Sequence, residues 1–255
     1  LNIQERKIKR RTKRQDSSRE ISMKKIIVSV FILSFFLFVG CGEKHANGEK
    51  GRDEGQIVYK GESKIWGFDN DKQGEIAGGF SNQVTGKGGL GKWEVIEDDT
   101  APSISNVIAQ TSQEYSGSHF NMVVNEDEFY DNLELTVKFK GAEGREDQGG
   151  GPVWRYQDHN NYYIARANPL ENNFRVYKVV DGKRIQMDSV RLKVTGGEWH
   201  MIKILASKDR IQCFYDGQPY LEVKDGTFQK AGRIGLWTKA DAVTYFDDLE
   251  ARPIE

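Results

Sequence analysis

Leu133-Glu134-Leu135-Thr136-Val137-Lys138-Phe139 is the stretch that decides the fold. Apolar residues at every second position, separated by Glu134, Thr136 and Lys138, follow the two-residue period of a strand with one buried and one wet face. Residues 201–206 and 211–215 carry the same alternation. Asp181-Gly182 and Asp216-Gly217 stand between such runs and have the chemistry of type I′ hairpin turns, whose two central residues both need positive φ. A further hairpin is expected across Asp158-His159-Asn160-Asn161. No window carries a long amphipathic helix; the best helical turn, Phe228-Gln229-Lys230-Ala231, is closed by Gly232. Short strands broken by Gly-rich turns predict an all-β fold, a two-sheet jelly-roll sandwich, over residues 57–255.

Upstream of that domain, Met23-Lys24-Lys25 and the run from 26 to 39 lead to Gly40-Cys41-Gly42. The run is 14 residues long, short of the ~20 a membrane-spanning helix needs. Two lysines, a short apolar segment and a small residue before cysteine have the form of an export signal. Phe38-Val39-Gly40-Cys41 is similar to a lipobox, with Phe38 where leucine is usual. Residues 23–41 are therefore expected to be a bacterial lipoprotein signal peptide, with Cys41 lipidated and two acyl chains anchoring the protein in the membrane. The expected address is the bacterial cell envelope, extracytoplasmic, and the outer membrane is favoured because Gly42 stands where an inner-membrane retention Asp would. Residues 1–22 form a basic upstream segment with no assigned role, and the polar residues 42–56 suit a flexible tether.

The charge balance changes once this signal is set apart. Ten Lys/Arg against three Asp/Glu give residues 1–41 a charge of +7, so a net −1 for the whole chain leaves −8 for the remainder. An acidic domain excludes nucleic acid as a partner, since affinity there comes mostly from phosphate neutralisation. Cysteine usage agrees with the same division. Only Cys41 and Cys213 exist, so no disulfide is expected, and Cys213 shares strand parity with Ile211 as a small buried residue.

Several stretches in order resemble a known family. They are Gly149-Gly150-Gly151-Pro152-Val153-Trp154-Arg155-Tyr156 running into Asn161-Tyr162-Tyr163-Ile164-Ala165-Arg166-Ala167-Asn168, then Gly197-Glu198-Trp199-His200, Phe214-Tyr215-Asp216-Gly217 and Gly232-Arg233-Ile234-Gly235-Leu236-Trp237-Thr238-Lys239. Together they resemble the concanavalin A-like lectin/glucanase superfamily, in its branch of laminin-G-like and 3-keto-disaccharide hydrolase-like bacterial domains. The resemblance implies a sandwich fold and leaves activity open, because the superfamily holds lectins, hydrolases and adhesion modules. Its retaining glucanases use a Glu-x-Asp-x-x-Glu pattern that this chain lacks, and Glu126-Asp127-Glu128 reads as a solvated turn. No catalytic set is assigned.

Binding chemistry is more legible. Strand parity puts Tyr162, Ile164, Arg166 and Asn168 on one face, with Tyr163, Ala165 and Ala167 on the other. Arg155, Arg166 and Arg175 fall on three successive strands and are expected to converge on a concave face, with Asn168, Glu171 and Asn173 at its edge. Guanidinium and amide groups suit sugar hydroxyls or carboxylates, and Trp154 and Trp237 offer rings for stacking if they are not core residues. Lys239 completes the candidate set. The expected function is carbohydrate or glycoconjugate binding; the alternatives are a glycoside-processing enzyme of the 3-keto-disaccharide type and a laminin-G-like adhesion module. Phe68-Asp69-Asn70-Asp71 and Phe246-Asp247-Asp248 resemble segments that hold a structural calcium in jelly-roll lectins, so Asp69 and Asp248 are its expected ligands and calcium the one expected cofactor. The four histidines lack zinc-ligand spacing.

Overall fold

Fifteen strands and no helix make up the described residues, 57–255, of a computed structural model. The expected signal, its Cys41 and the tether lie outside the described residues. One sheet runs in the order β13 (Gln218–Lys224), β12 (Arg210–Tyr215), β11 (His200–Ser207), β6 (Leu133–Glu143), β15 (Val243–Pro253), β4 (Asn106–Gln110) and β3 (Trp93–Glu97), with β1 (Lys64–Trp66) also on β15. The other runs β10 (Lys183–Arg191), β9 (Asn173–Val180), β8 (Asn161–Asn168), β7 (Gly150–Asp158), β14 (Gly232–Lys239), β5 (Phe120–Tyr130) and β2 (Phe80–Thr85). Neighbouring strands are antiparallel throughout, and the two sheets form the sandwich that the alternating pattern predicts.

Local chemistry accounts for the turns. Asp181 and Gly182 take φ of 48° and 74°, and Asp216 and Gly217 take 46° and 78°, as a type I′ turn requires. Asp158 pairs with Asn161, closing the expected hairpin over His159 and Asn160. Residues 228–231 form no helix; Phe228 instead inserts into the core, edge-on to Tyr163 at 4.9 Å.

The main core fills the space between the sheets. Leu133, Leu135, Val137 and Phe139 supply it from β6, and Trp154, Tyr163, Ala165, Phe174 and Leu236 from the seven-stranded sheet. Burying each large apolar side chain among them, such as Leu135 or Phe139, stabilises the fold by about 1.5–3 kcal/mol. Cys213 lies in this core. The seven-stranded sheet is apolar on its outer face as well, where Phe120, Val153, Tyr156, Tyr162, Ile164, Tyr177 and Trp237 belong to a second buried cluster. Tyr162 and Ile164 alternate with Tyr163 and Ala165 along β8, so the strand serves both faces, as a sheet covered on both sides demands.

Candidate functional site

The outer face of the seven-stranded sheet ends in a charged network. Arg166 on β8 pairs across the ladder with Arg175 on β9, which brings the two guanidinium groups side by side. Glu171, from the β8–β9 turn, ties them together: its Oε2 accepts from Arg166 Nη2 at 2.9 Å and Asn173 Nδ2 at 2.8 Å, and lies 3.0 Å from Arg175 Nη1. Asn168 shapes that turn, its Oδ1 accepting the backbone N–H groups of Leu170 and Glu171 at 2.8 and 3.2 Å. Its amide donates to Asp147 Oδ1 at 2.8 Å.

Asp147 is the residue the sequence did not single out. It enters from the β6–β7 loop, is wholly buried, and has Arg166 Nη1 3.4 Å from Oδ1 and Lys239 Nζ 3.4 Å from Oδ2. Lys239 also reaches Glu146 Oε1 at 3.2 Å. Asp241, just past β14, pins the loop by accepting backbone N–H bonds from Arg145 at 2.7 Å, Glu146 at 3.1 Å and Asp147 at 3.0 Å. The run Gly149-Gly150-Gly151 lets the loop pass into β7. A Cβ at Gly149 or Gly151 would collide with the carbonyl oxygen of Ala167 or Ala165, and one at Gly150 with the Phe246 ring.

Burial and charge pull these groups in opposite directions. Burial pushes the Asp147 carboxyl above the usual range, and the attraction of Arg166 and Lys239 only partly offsets it. Burial also works against the Arg166 charge, but Asp147, Tyr177 and Glu171 more than restore it, so its pKa is raised. Glu171 is held below the ordinary carboxylate range; partial burial raises it, while the Asn173 bond and Arg166 outweigh that effect.

Of the predicted residues, Arg166, Asn168, Glu171, Arg175 and Lys239 come together here, with Trp237 on the same face against Phe120 at 5.2 Å. Trp154 does not join them: it faces the sandwich core, stacked on Tyr163 at 5.6 Å. Arg155 is also elsewhere. The register of β7 against β8 is irregular after Trp154, and Arg155 takes φ of 46°, which removes it from the parity that would set it beside Arg166. Its buried guanidinium donates to the carbonyls of Asp131 (2.9 Å), Lys208 (2.7 Å) and Phe228 (3.0 Å), and to Asn132 Oδ1 at 3.3 Å, clipping three connections together.

Asp69 and Asp248 do approach each other. Their Oδ2 and Oδ1 atoms lie 3.5 and 3.8 Å from the place a Cβ on Gly67 would occupy. The other oxygen of Asp248 receives Lys138 Nζ at 2.6 Å. Among the described residues no group of three or more His, Cys, Asp or Glu gathers as a metal site. The two carboxylates supply fewer oxygens than the six to eight calcium takes, and one is already held by an ammonium, so carbonyls would have to complete the expected site.

Comparison with known proteins agrees with the fold. A carbohydrate-binding module, CBM66 from Bacillus subtilis, superposes with a TM-score of 0.55 at 15% identity, covering 69% of this chain and 95% of that one. Domain 4 of AbnA, a GH43 extracellular arabinanase from Geobacillus stearothermophilus solved with arabinotriose, gives 0.48 at 11% identity over 77% of this chain and 92% of that one. A galectin-like-fold protein from Bacillus subtilis gives 0.49 at 11% identity over 69% and 89%. No curated protein matches the chain in sequence. The family model of the 3-keto-alpha-glucoside-1,2-lyase-like domain matches residues 68–252, well over half of the chain. The chain belongs to the 3-keto-alpha-glucoside-1,2-lyase-like domain family.

Proposed function

We propose that the chain binds carbohydrate at the outer face of its seven-stranded sheet. The observation that carries this is the pairing, on one face, of an aromatic cluster with a rigid polar end. Tyr156, Tyr162, Tyr177 and Trp237 form a buried aromatic bed, while Arg166, Glu171, Arg175 and Lys239 border it with oriented donors and acceptors. Forked bonds from such a polar end to hydroxyls, backed by an apolar bed, are one way sugars are recognised. Arg175 and Glu171 remain partly exposed, 30% and 37%, which supports entry from this end. The similarity to a carbohydrate-binding module in fold supports the same reading. Glycan-array screening followed by calorimetry tests it, with Arg175→Ala expected to weaken binding by about tenfold, the worth of one charged hydrogen bond. No glycan bound by wild type, or unchanged affinity in Arg175→Ala, overturns it.

One observation favours a lyase as the second reading. Asp147 is a buried carboxyl with a raised pKa beside two cations, as a general base beside an enolate-stabilising charge would be. In a 1,2-elimination of a 3-keto-glycoside the carboxylate takes the C2 proton, the C1–C2 double bond forms as the C1–O bond breaks, and the glycosidic oxygen leaves to be protonated. Incubation with 3-keto-disaccharides and NMR detection of the unsaturated sugar decides it; no turnover by wild type removes it.

The protein is further proposed to sit on the extracytoplasmic side of a bacterial envelope, the outer membrane where there is one, through acyl chains on Cys41. Fatty-acid labelling and membrane fractionation of wild type and Cys41→Ser check this. Labelling that persists in the variant rejects it.

A further inference from the structure

Arg184 on β10 is an arginine of the outer face that pairs with no carboxylate among the described residues. Its guanidinium carbon lies 4.6 Å from the ring centre of Tyr177, 4.9 Å from Phe120 and 5.6 Å from Trp237. Among the described residues it makes no ion pair, and its Nη1 is buried with no hydrogen-bond acceptor. The carboxylates nearby are already engaged: Glu171 by Arg166 and Arg175, and Asp147 by Arg166 and Lys239. Arg184 is thus a cation whose charge no neighbouring carboxylate answers by direct pairing. Burial disfavours the Arg184 charge and its pKa is lowered, the reverse of Arg166 with its paired carboxylates.

Contact with ring faces favours a guanidinium without using up its N–H donors, which suit the paired oxygens of an anion. Nη1 is enclosed, but the Arg184 side chain as a whole is only half-buried, so an anion can pair with the accessible part of its fork. Tyr177 links the two halves of the site: its ring underlies Arg184 and its hydroxyl accepts from Arg175 Nη1 at 3.5 Å.

We infer that the sugar taken up on this face carries an anionic group, a carboxylate or a sulfate ester, and that Arg184 pairs with it. This rests on the carbohydrate reading of the same face and narrows it to acidic saccharides. The test is calorimetry of the purified full chain with matched oligosaccharides: trigalacturonate, its neutral methyl ester, and sulfated and unsulfated forms of one disaccharide. The acidic member of a pair binds at least about tenfold tighter than its neutral partner, the worth of one charge-assisted hydrogen bond. Arg184→Gln abolishes that preference, and Arg184→Lys, which keeps the charge and loses the fork, restores part of it. Which pair shows the preference tells carboxylate from sulfate. Equal affinity for neutral and acidic partners, or a preference that survives Arg184→Gln in a variant with wild-type melting, overturns the inference and leaves carbohydrate binding standing. Failure to bind any member overturns both.

Discussion

Replacing Arg166 by methionine, close in length and uncharged, tests whether the outer-face network is a compensated buried charge system. Arg166 and Asp147 are 1% and 0% exposed, so this arm of the network is not weakened by solvent. Removing one partner of a buried pair costs about 3–5 kcal/mol, because the other charge is left uncompensated. The low end applies here: the 3.4 Å separation is long, and Lys239 and Asn168 still hold Asp147. The second arm, to Glu171, adds less than about 1 kcal/mol because Glu171 is 37% exposed. About 3 kcal/mol in a domain of this size lowers the melting temperature by roughly 6–12 °C. The loss should shrink as pH falls. Asp147 already has a raised pKa, and without Arg166 it rises further, so the native state binds the proton more tightly than the unfolded chain and gains stability on acidification. Thermal melts between pH 7 and pH 5 measure this, together with Asp147→Asn in the Arg166→Met background. The double variant, with no orphan carboxylate, should melt within about 1 kcal/mol of wild type. A single variant within 2 °C of wild type, or a double variant no more stable than the single, refutes the reasoning.

Arg155→Ala should destabilise by about 3 kcal/mol through its lost bonds to Asp131, Lys208 and Phe228 while leaving sugar affinity unchanged, as read from urea melts and calorimetry. Asp241→Asn should loosen the β6–β7 loop and weaken sugar binding. Burial raises the Asp241 carboxyl, but the N–H groups of Arg145, Asp147 and Glu146 bring it below the ordinary range, so its stabilisation is present above the unfolded pKa and is lost as pH falls through the folded one; the variant should show a shallower acid-side loss below about pH 4. Burial pushes the Cys213 thiol far up, so it should resist thiol reagents until the domain unfolds; labelling of the native protein within minutes would contradict its placement. With Lys138 on Asp248, chelation by EDTA should leave the melting temperature unchanged, and a drop of several degrees would return Asp69 and Asp248 to the role of calcium ligands.

What could be read in advance follows from the range of the forces involved. The strand periods, the two Asp-Gly turns and the split of β8 into a core face and an outer face are local, and Arg166 duly lies beside Arg175. Arg155 defeated parity because a bulge is set by the partner strands, which no single-strand pattern records. Asp147 was invisible for a related reason. It sits in a polar loop, Glu146-Asp147-Gln148, indistinguishable in sequence from a solvated one, and its burial comes from Arg166 and Lys239, which are distant in the chain. Arg184 likewise lies on a strand whose other residues are largely exposed, and only the fold carries it over Phe120, Tyr177 and Trp237.

The clamp on Asp147 bears on which of the two readings the site favours. Lys239 and Asp241 flank one turn, between β14 and β15, where Ala240 takes φ of 52°. That turn supplies both the ammonium that compensates Asp147 and the carboxylate that holds the backbone of residues 145–147. Swinging the Asp147 side chain toward a substrate would break its pairs with Arg166 and Lys239, and moving the loop would break the backbone anchors as well. A base for C2 proton abstraction must come within hydrogen-bond reach of the carbon it deprotonates, and this carboxyl is wholly buried and held from two sides. Binding asks nothing of that kind. It needs the loop to stay where it is, so that Arg166, Arg175 and Glu171 keep their orientation while a sugar settles against them, and the same rigidity that hinders the lyase chemistry lowers the entropy lost on binding.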